Sequence, residues 1–281
     1  MFAFAAGFVA TSGARDCDTI EVAKLGPKQG KSVTRESTFK IENATVTTTA
    51  GGAEVTYKQA ITSTSKEFVE YIDVTKESGQ INKVKTTVAT QTVVIAINGK
   101  EADPKNGPLH GRVIISTRQT GGTWKHEFEK VEPMPEQKLA LDQRPALDRD
   151  DALFPEDGMV KDNDKWVVMA SKLQHLFGES LRIQDGTLFL ERVKDEDLSA
   201  TEKGMVITFS GSVKGVSKVD GGELTVELDV KEGKMVRSQV SGLDVVDTAK
   251  GTIRMSGKVT LKDRAFDLKL KGDFSVNGTA R

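Results

Sequence analysis

The stretch "FDLKLKGDFSV", Phe266–Val276, alternates apolar and polar side chains along its length. The apolar positions are Phe266, Leu268, Leu270, Phe274 and Val276, and the polar ones are Asp267, Lys269, Lys271 and Asp273. A period of two residues is that of a β-strand, whose successive side chains point to opposite faces of a sheet. One apolar and one charged face predict an antiparallel sheet that is covered on one side and solvated on the other.

Three earlier stretches repeat this pattern. They are "MVITFSGSV" (205–213), "ELTVELDV" (223–230) and "GTIRMSGKVTL" (251–261). Glycines recur inside these strands at Gly211, Gly257 and Gly272, and a glycine in a strand interior often marks a bulge or a bend. We therefore predict a C-terminal β-meander domain over residues 159–281, with a curled sheet.

Residues 32–131 alternate in the same way, and many of their polar positions are threonines. Threonine is β-branched and carries a hydroxyl, which suits the solvated face of a sheet. Turn signals such as Asn98-Gly99 separate the runs. We expect an N-terminal β-sheet domain here. The predicted fold class is mainly β, with two antiparallel, curled halves and one short helix packed on the second half.

Residues 132–158 separate the two halves. They contain four of the seven prolines and show little periodicity. A stretch of this length without strands is usually a linker, or a strap that crosses the surface.

The stretch "WVVMASKLQHLF" (166–177) is the one clear helix-like segment. Helical spacing places its main apolar side chains within an arc of roughly 120°. The alternative is a short strand at 166–169 that leads into a helix capped by Ser171. In both interpretations Leu173, Leu176 and Phe177 face the sheet of the second half.

The N-terminus, "MFAFAAGFVATSGARDCD", is apolar through Ala10 and ends in small residues before Arg15. This pattern predicts a signal peptide at 1–14 and a leader at 15–31, and therefore an exported protein of the periplasm or the extracellular space. The basic residues that usually open a signal peptide are missing, so the alternative is a buried N-terminal strand. The apolar run is too short to span a bilayer, and no transmembrane segment is expected.

The composition argues against nucleic-acid and nucleotide binding. With 40 basic and 41 acidic residues, the chain has no excess positive charge that would attract a polyanion or an anionic membrane. The segment "GPKQGKS" (26–32) resembles a phosphate-binding loop. It has three residues, where that loop needs four, before Gly-Lys-Ser, and an alternating strand follows where the loop needs a helix.

Metal and catalytic sites are not predicted. The three histidines are scattered, and Cys17 is the one cysteine, which is too few for a zinc site or an intrachain disulfide. His126 lies between Trp124 and Phe128 on an apolar parity, which favours a core histidine over a metal ligand. The acidic clusters at 148–151 and 161–165 lack the spacing of a calcium loop. We expect no cofactor, no metal and no enzymatic activity.

Several of these features together carry a family resemblance. The signal-like leader, the Thr-rich half with "SGQINKVKTTV" (78–88), the Pro-rich segment and "KDNDKWVVMASKLQHLFG" (161–178) resemble a group of uncharacterised exported bacterial β-sheet proteins of unknown function. The usual G-D-x-W of that group is here Asn163-Asp164-Lys165-Trp166. More distantly, a curled antiparallel sheet over a helix is similar to lipid carriers of the lipoprotein-localisation-factor type. That second resemblance implies a bound acyl chain, by analogy of fold alone.

The apolar faces of the predicted strands exceed what one short helix can cover. The other half, the 132–158 segment, a ligand or a partner must therefore cover the rest. The leading hypothesis is a non-enzymatic exported protein that binds an apolar ligand, such as a lipid, or an envelope protein in the concavity of its sheet. The alternatives are a structural or assembly protein of the cell envelope without a ligand, and a hydrolase with an unrecognised pair of carboxylates. The candidate ligand-binding residues are Trp166, Met169, Leu173, Leu176, Phe177, Phe209, Met255 and Phe266.

Overall fold

The computed structural model describes residues 19–22, 25–144, 153–177, 181–219, 221–261 and 264–281, with side chains for all of them except 175–177 and 261. The predicted signal peptide at 1–14 and Cys17 lie outside the described residues. In chain order the elements are β1 (Ile20–Glu21), β2 (Ser32–Ala50), β3 (Ala53–Val74), β4 (Ile81–Ile97), β5 (Lys100–Glu101), β6 (Lys105–Asn106), β7 (Val113–Arg118), β8 (Trp124–Phe128), α1 (Pro135–Asp142), β9 (Met159–Val160), β10 (Lys165–Met169), α2 (Ala170–Phe177), β11 (Arg182–Arg192), β12 (Glu196–Ser199), β13 (Glu202–Val219), β14 (Gly222–Ser238), β15 (Asp244–Leu261) and β16 (Arg264–Ala280).

Fourteen strands form one antiparallel sheet, in the order β10-β11-β13-β14-β15-β16-β2-β3-β4-β7-β8 with β5, β6 and β12 attached at its sides. The remaining strands, β1 and β9, pair with each other. The prediction of a mainly β, antiparallel fold is thus confirmed. The two halves of the sequence share this sheet, because β16 pairs with β2 along almost its whole length.

The main sheet is open and not strongly curled, so the expected curl is a smaller feature than the strand glycines suggested. Those glycines act locally. At Gly211 the register between β13 and β14 shifts by a bulge, and its φ of 143° is a backbone angle that L side chains rarely adopt. Seven of the strands, β2, β3, β4, β13, β14, β15 and β16, have 17 to 22 residues, far more than the usual 3–10.

One face of the sheet, which we call the core face, carries the hydrophobic core. Directly paired residues lie on the same face of a sheet. The row Val226, Met255, Leu270 and Val46 therefore places β14, β15, β16 and β2 side by side on the core face. The largest core cluster joins this face to Leu173 of α2. The opposite face, which we call the polar face, carries most of the Thr, Lys and Glu side chains of the same strands.

Residues 153–160, which we call the cover segment, lie over the core face. Leu153, Phe154 and Val160 are all buried in the core cluster. The indole Nε1 of Trp166 donates to the carbonyl oxygen of Leu153 at 2.6 Å. The guanidinium of Arg192, which is fully buried, donates to the carbonyl oxygen of Val160 at 2.7 Å. A segment of the chain itself therefore covers much of the apolar face that α2 leaves open.

The Trp166–Phe177 stretch follows the second interpretation, a strand leading into a helix. Residues Lys165–Met169 form β10, and α2 begins at Ala170. The predicted cap at Ser171 is wrong, because Ser171 lies within the helix. In β10 the period is two residues, so Val168 is buried while Val167 and Met169 are exposed on the polar face. A second helix, α1, begins at Pro135, where the sequence interpretation had only a linker or strap. Proline suits the first turn of a helix because its missing N–H would have no partner there.

Candidate ligand-binding groove

A groove crosses six strands of the polar face, from β10 to β16. Two rows of paired residues, separated by one row whose side chains point to the other face, form its floor. The first row is Lys165, Glu191, Thr208, Lys234, Thr248 and Asn277. The second row is Val167, Phe189, Ser210, Glu232, Lys250 and Ser275. We call this feature the six-strand groove, and its volume is about 950 Å³.

The row between these two contributes backbone to the floor of the groove. It consists of Trp166, Leu190, Phe209, Gly233, Ala249 and Val276. Apart from Gly233, the residues of this row have side chains on the core face, where Leu190 belongs to the core cluster and the others pack on it. A Cβ at Gly233 would overlap the ring of Phe209, so this ring lies over Gly233 on the core face. The groove is therefore on the face opposite to α2.

One end of the groove is apolar. Val167 and Phe189 are directly paired on β10 and β11. Their exposed fractions are 51% and 58%. Met169, two residues further along β10, is also exposed, at 56%. An exposed apolar patch with a polar rim is the type of surface that binds ligands or partners.

The other end of the groove is polar and offers hydrogen-bonding groups. The hydroxyls of Thr208, Ser210, Thr248 and Ser275 and the amide of Asn277 are spread over β13, β15 and β16. Hydroxyls can donate and accept, and an amide offers both kinds of group. This end can therefore bind a neutral or a charged polar group.

The lysines of the groove are mostly held in exposed ion pairs. Lys165 Nζ lies 3.2 Å from Glu191 Oε2, and Lys250 Nζ lies 2.6 Å from Glu232 Oε2. Lys234 Nζ lies 2.7 Å from Glu196 Oε2. Exposed pairs of this kind contribute about 0–1 kcal/mol each, so a ligand can exchange one of the partners at little expense of free energy.

A bulge in β14 adds a further cation to the groove. Two residues of β14, Lys231 and Glu232, stand opposite Ser210 of β13. Glu232 keeps the pairing with Lys250 on β15, and Lys231 is the inserted residue. Bulges commonly redirect a side chain next to a binding site. Here the inserted lysine is part of the groove lining.

Five of the eight predicted ligand-binding residues lie on the core face or pack against it, with different degrees of burial. Leu173 is completely buried in the core cluster, and Trp166, Phe209 and Met255 pack on that cluster with part of their surface accessible. Phe266 is half-buried at the start of β16, opposite Val259. These residues share the core face. Leu173 and the cover segment pack together in the region beside α2 where the sequence analysis placed an apolar ligand.

The other predicted residues do not join that group. Met169 is exposed on the polar face, because a strand period replaces the helical period at this position. The side chains of Leu176 and Phe177 lie outside the described residues. The sequence analysis missed Val167 and Phe189, although both are apolar residues on the polar parity of their strands. That break in the alternation was the available signal.

Other kinds of site have less support. No group of His, Cys, Asp and Glu side chains able to hold a metal ion occurs in the part of the chain that the structure describes. In that same part, neither helix has the length and apolar character that crossing a membrane requires.

Comparisons with known proteins do not place the chain in a family. No family model matches it, and no curated protein matches it. Among solved structures, the binding domain of botulinum neurotoxin DC in complex with rat synaptotagmin II is 8% identical, with 86% of this chain and 78% of that chain covered and a TM-score of 0.12. The serotype D/C VPI 5993 binding domain is 8% identical, with coverages of 87% and 78% and a TM-score of 0.13. Scores this low do not indicate a shared fold.

Proposed function

We propose that this protein is a non-enzymatic, exported binding protein that holds an amphipathic, lipid-like ligand in the six-strand groove. The observation that carries the proposal is the exposed pair Val167 and Phe189 at one end of a groove whose other end is lined by hydroxyls, an amide and lysines. A ligand with an apolar portion and a polar head would match both ends.

The apolar end supplies the driving force. Full burial of a Val or Phe side chain contributes about 1.5–3 kcal/mol, and both side chains are more than half exposed in the free protein. The polar end supplies orientation, because the hydroxyl groups and lysines would bind the head of the ligand. The groove volume of about 950 Å³ lies within the usual range for small-molecule sites, roughly 300–1,000 Å³.

This proposal moves the ligand from the core face to the polar face. Leu173 and Phe154 are buried beside the sheet, so the core face near α2 is occupied by the chain itself. An apolar ligand is still expected, but with a polar head that the threonines and serines of the groove can bind.

The alternative is a structural or assembly protein of the cell envelope without a ligand. The packed core under α2 and the cover segment supports it, because in that region the chain itself covers the core face. The exposed Val167 and Phe189 favour the binding protein. Export rests on the apolar N-terminal sequence. N-terminal sequencing of the protein from its host would give a start after residue 14 if export is right, and Met1 if it is wrong.

Native mass spectrometry of the protein purified from its own host tests the binding proposal. The expected result is an adduct with the mass of a lipid-like molecule, which the Phe189→Ser variant loses. Val240→Ser is the matched control, because Val240 is equally exposed, at 57%, outside the groove. A bare mass for the native protein would reject the ligand and favour the structural protein.

A further inference from the structure

A second groove runs along β8, the terminal strand of the main sheet. All five residues of β8, from both faces of the sheet, contribute to its lining. A groove lined by both faces of a terminal strand lies along the edge of that strand. We call it the edge groove, and its volume is about 790 Å³.

The helix α1 forms the opposite wall of the edge groove. Lys138, Leu141 and Asp142 of α1 and residues 131–133 before it are part of the lining. Leu141 and Phe128 are buried together in a small core cluster, which fixes α1 against the sheet. Val131 at the rim is 52% exposed. The groove thus lies between β8 and α1, with Gln174 of α2 also in its lining and an accessible apolar rim.

The hydrogen bonds at the two ends of the β7–β8 pair show which backbone groups face this groove. Gln119 N–H donates to Thr123 O at 2.8 Å, and Glu129 N–H donates to Val113 O at 3.0 Å. Hydrogen-bonded pairs alternate in an antiparallel ladder, so Lys125 and Glu127 bond to β7. The N–H and C=O groups of the alternate residues His126 and Phe128 point away from β7, into the edge groove.

His126 and Phe128 therefore present two N–H and two C=O groups to the groove. In the described residues, no hydrogen bond from these backbone groups to another part of the chain is found. Unpaired donors and acceptors on an edge strand are a template for a further strand. An alternating row of donors and acceptors is matched by the backbone of an extended peptide, which offers both groups with the same spacing.

The charges of the groove favour a peptide over a polyanion or a polycation. Three cations, Lys125, Lys138 and Arg144, and three anions, Glu127, Glu132 and Asp142, line it. Lys125 pairs with Glu127 at 2.7 Å, and Arg144 donates to both carboxylate oxygens of Glu67 at 3.2 and 3.3 Å. This balance complements a segment without net charge, whose affinity would come from backbone hydrogen bonds.

We propose that the edge groove binds an extended peptide segment of a partner protein as an additional strand beside β8. About five residues of the peptide would lie beside β8, which is five residues long, with its hydrogen bonds made to His126 and Phe128. Alternate side chains of the peptide point to the same side, so every second one would lie against α1, Phe128 and Val131. Recognition of this type takes affinity from the main chain and specificity from pockets for alternate side chains. The site is separate from the six-strand groove and does not depend on its ligand.

The experiment uses a random heptapeptide phage library, panned on the purified full-length protein. An enriched peptide is then synthesised with a fluorescein label, and its affinity is measured by fluorescence polarisation. The expected peptides are apolar at every second position. His126→Pro removes an N–H that faces the groove and makes no bond to β7, and it should weaken binding at least about tenfold. Val240→Ser, at an exposed position outside the edge groove, is the control and should bind like the native protein.

A second arm keeps the test decisive if the proline variant fails to fold. The same peptide N-methylated at alternate amides should lose binding to the native protein, because its hydrogen-bonding edge is blocked. The proposal is overturned if no peptide is enriched, or if the N-methylated and unmodified peptides bind equally. It is also overturned in favour of a second copy of the chain if sedimentation shows a native dimer that His126→Pro converts to a monomer.

Discussion

The ring of Phe154 stacks on the indole of Trp166, with the ring centroids 6.1 Å apart and the ring planes inclined by 29°. This contact joins the cover segment to β10. The guanidinium of Arg237 lies 4.6 Å from the centroid of the same Phe154 ring. Together with the bond from Trp166 to the Leu153 carbonyl, these contacts fix the cover segment on the core face.

Replacing Phe154 by alanine should lower the free energy of unfolding by about 3–5 kcal/mol, because a buried aromatic side chain is removed from a packed core. Unfolding in guanidinium chloride measures the change. Leu139→Ala is the control, since Leu139 is 50% exposed on α1, and it should change the value by about 0.5 kcal/mol or less. Equal effects of the two substitutions would show that the cover segment adds little to the core.

Arg192→Met should lower the free energy of unfolding by about 3–5 kcal/mol, because it leaves buried partners without their charge. Arg192 is completely buried, donates to Val160 O and lies 3.2 Å from both carboxylate oxygens of Asp195. The control is Lys165→Met, whose exposed pair with Glu191 should contribute at most about 1 kcal/mol. Chemical denaturation of both variants gives the comparison. A small effect of Arg192→Met would contradict a role of Arg192 in holding the cover segment on the core face.

Two strand glycines should respond differently to alanine. A Cβ at Gly251 of β15 would overlap the carbonyl oxygen of Asp229, whereas the nearest atom to a Cβ at Gly278 of β16 is 3.6 Å away. Gly251→Ala should therefore be destabilising by about 1–3 kcal/mol. Gly278→Ala should be nearly neutral. Thermal unfolding of the two variants checks the order, and the reverse order would mean that the approach of β14 to β15 is looser than described.

His126 should make stability depend on pH. Burial, together with the nearby Arg144 guanidinium, lowers the pKa of His126 to about 4, and the pKa in an unfolded chain is about 6.5. Between these values the unfolded state binds more protons, so stability is present above about pH 6.5 and is lost as the pH falls toward 4. His126→Gln should remove this part of the slope. Identical slopes for the two proteins, from denaturant unfolding at several pH values, would show that His126 is already charged in the folded state.

The six-strand groove should bind a small amphipathic anion through its apolar end. The probe is 8-anilinonaphthalene-1-sulfonate, whose fluorescence rises in apolar surroundings. The double variant Val167→Ser, Phe189→Ser should bind it at least about tenfold more weakly, since it loses the apolar contact area, with an unchanged unfolding midpoint. Val240→Ser should bind it like the native protein. Unchanged binding by the double variant would place the probe elsewhere.

The alternation of the sequence was sufficient to predict most strands and their faces. Met205, Ile207, Ile253 and Leu270 were assigned to apolar faces, and all four are buried. Each such assignment depends on local periodicity alone. The start of α2 was left open because the segment 166–169 fits both a helical and a strand period. Tertiary pairing with β11 decides in favour of the strand.

The six-strand groove could not be predicted from the same pattern. It depends on which strands become neighbours and on the bulge that inserts Lys231, and neither follows from alternation. Its residues also have the polar character that the analysis took for a simple solvated face. Phe189 is the exception to this pattern. It is a large apolar side chain at a position of β11 that points to the polar face, where it is 58% exposed.

The pairing of β16 with β2 has a consequence for how the molecule is made. β16 is the last strand in the sequence, yet it lies between β15 and β2 near the middle of the main sheet. The two halves of the sheet cannot join before this strand is synthesised, and pairing between such distant segments is slow. Until then, β15 and β2 each expose a long open edge, the kind of surface that leads to aggregation. The two halves of the sheet therefore stay open to aggregation until the last strand has been made and paired.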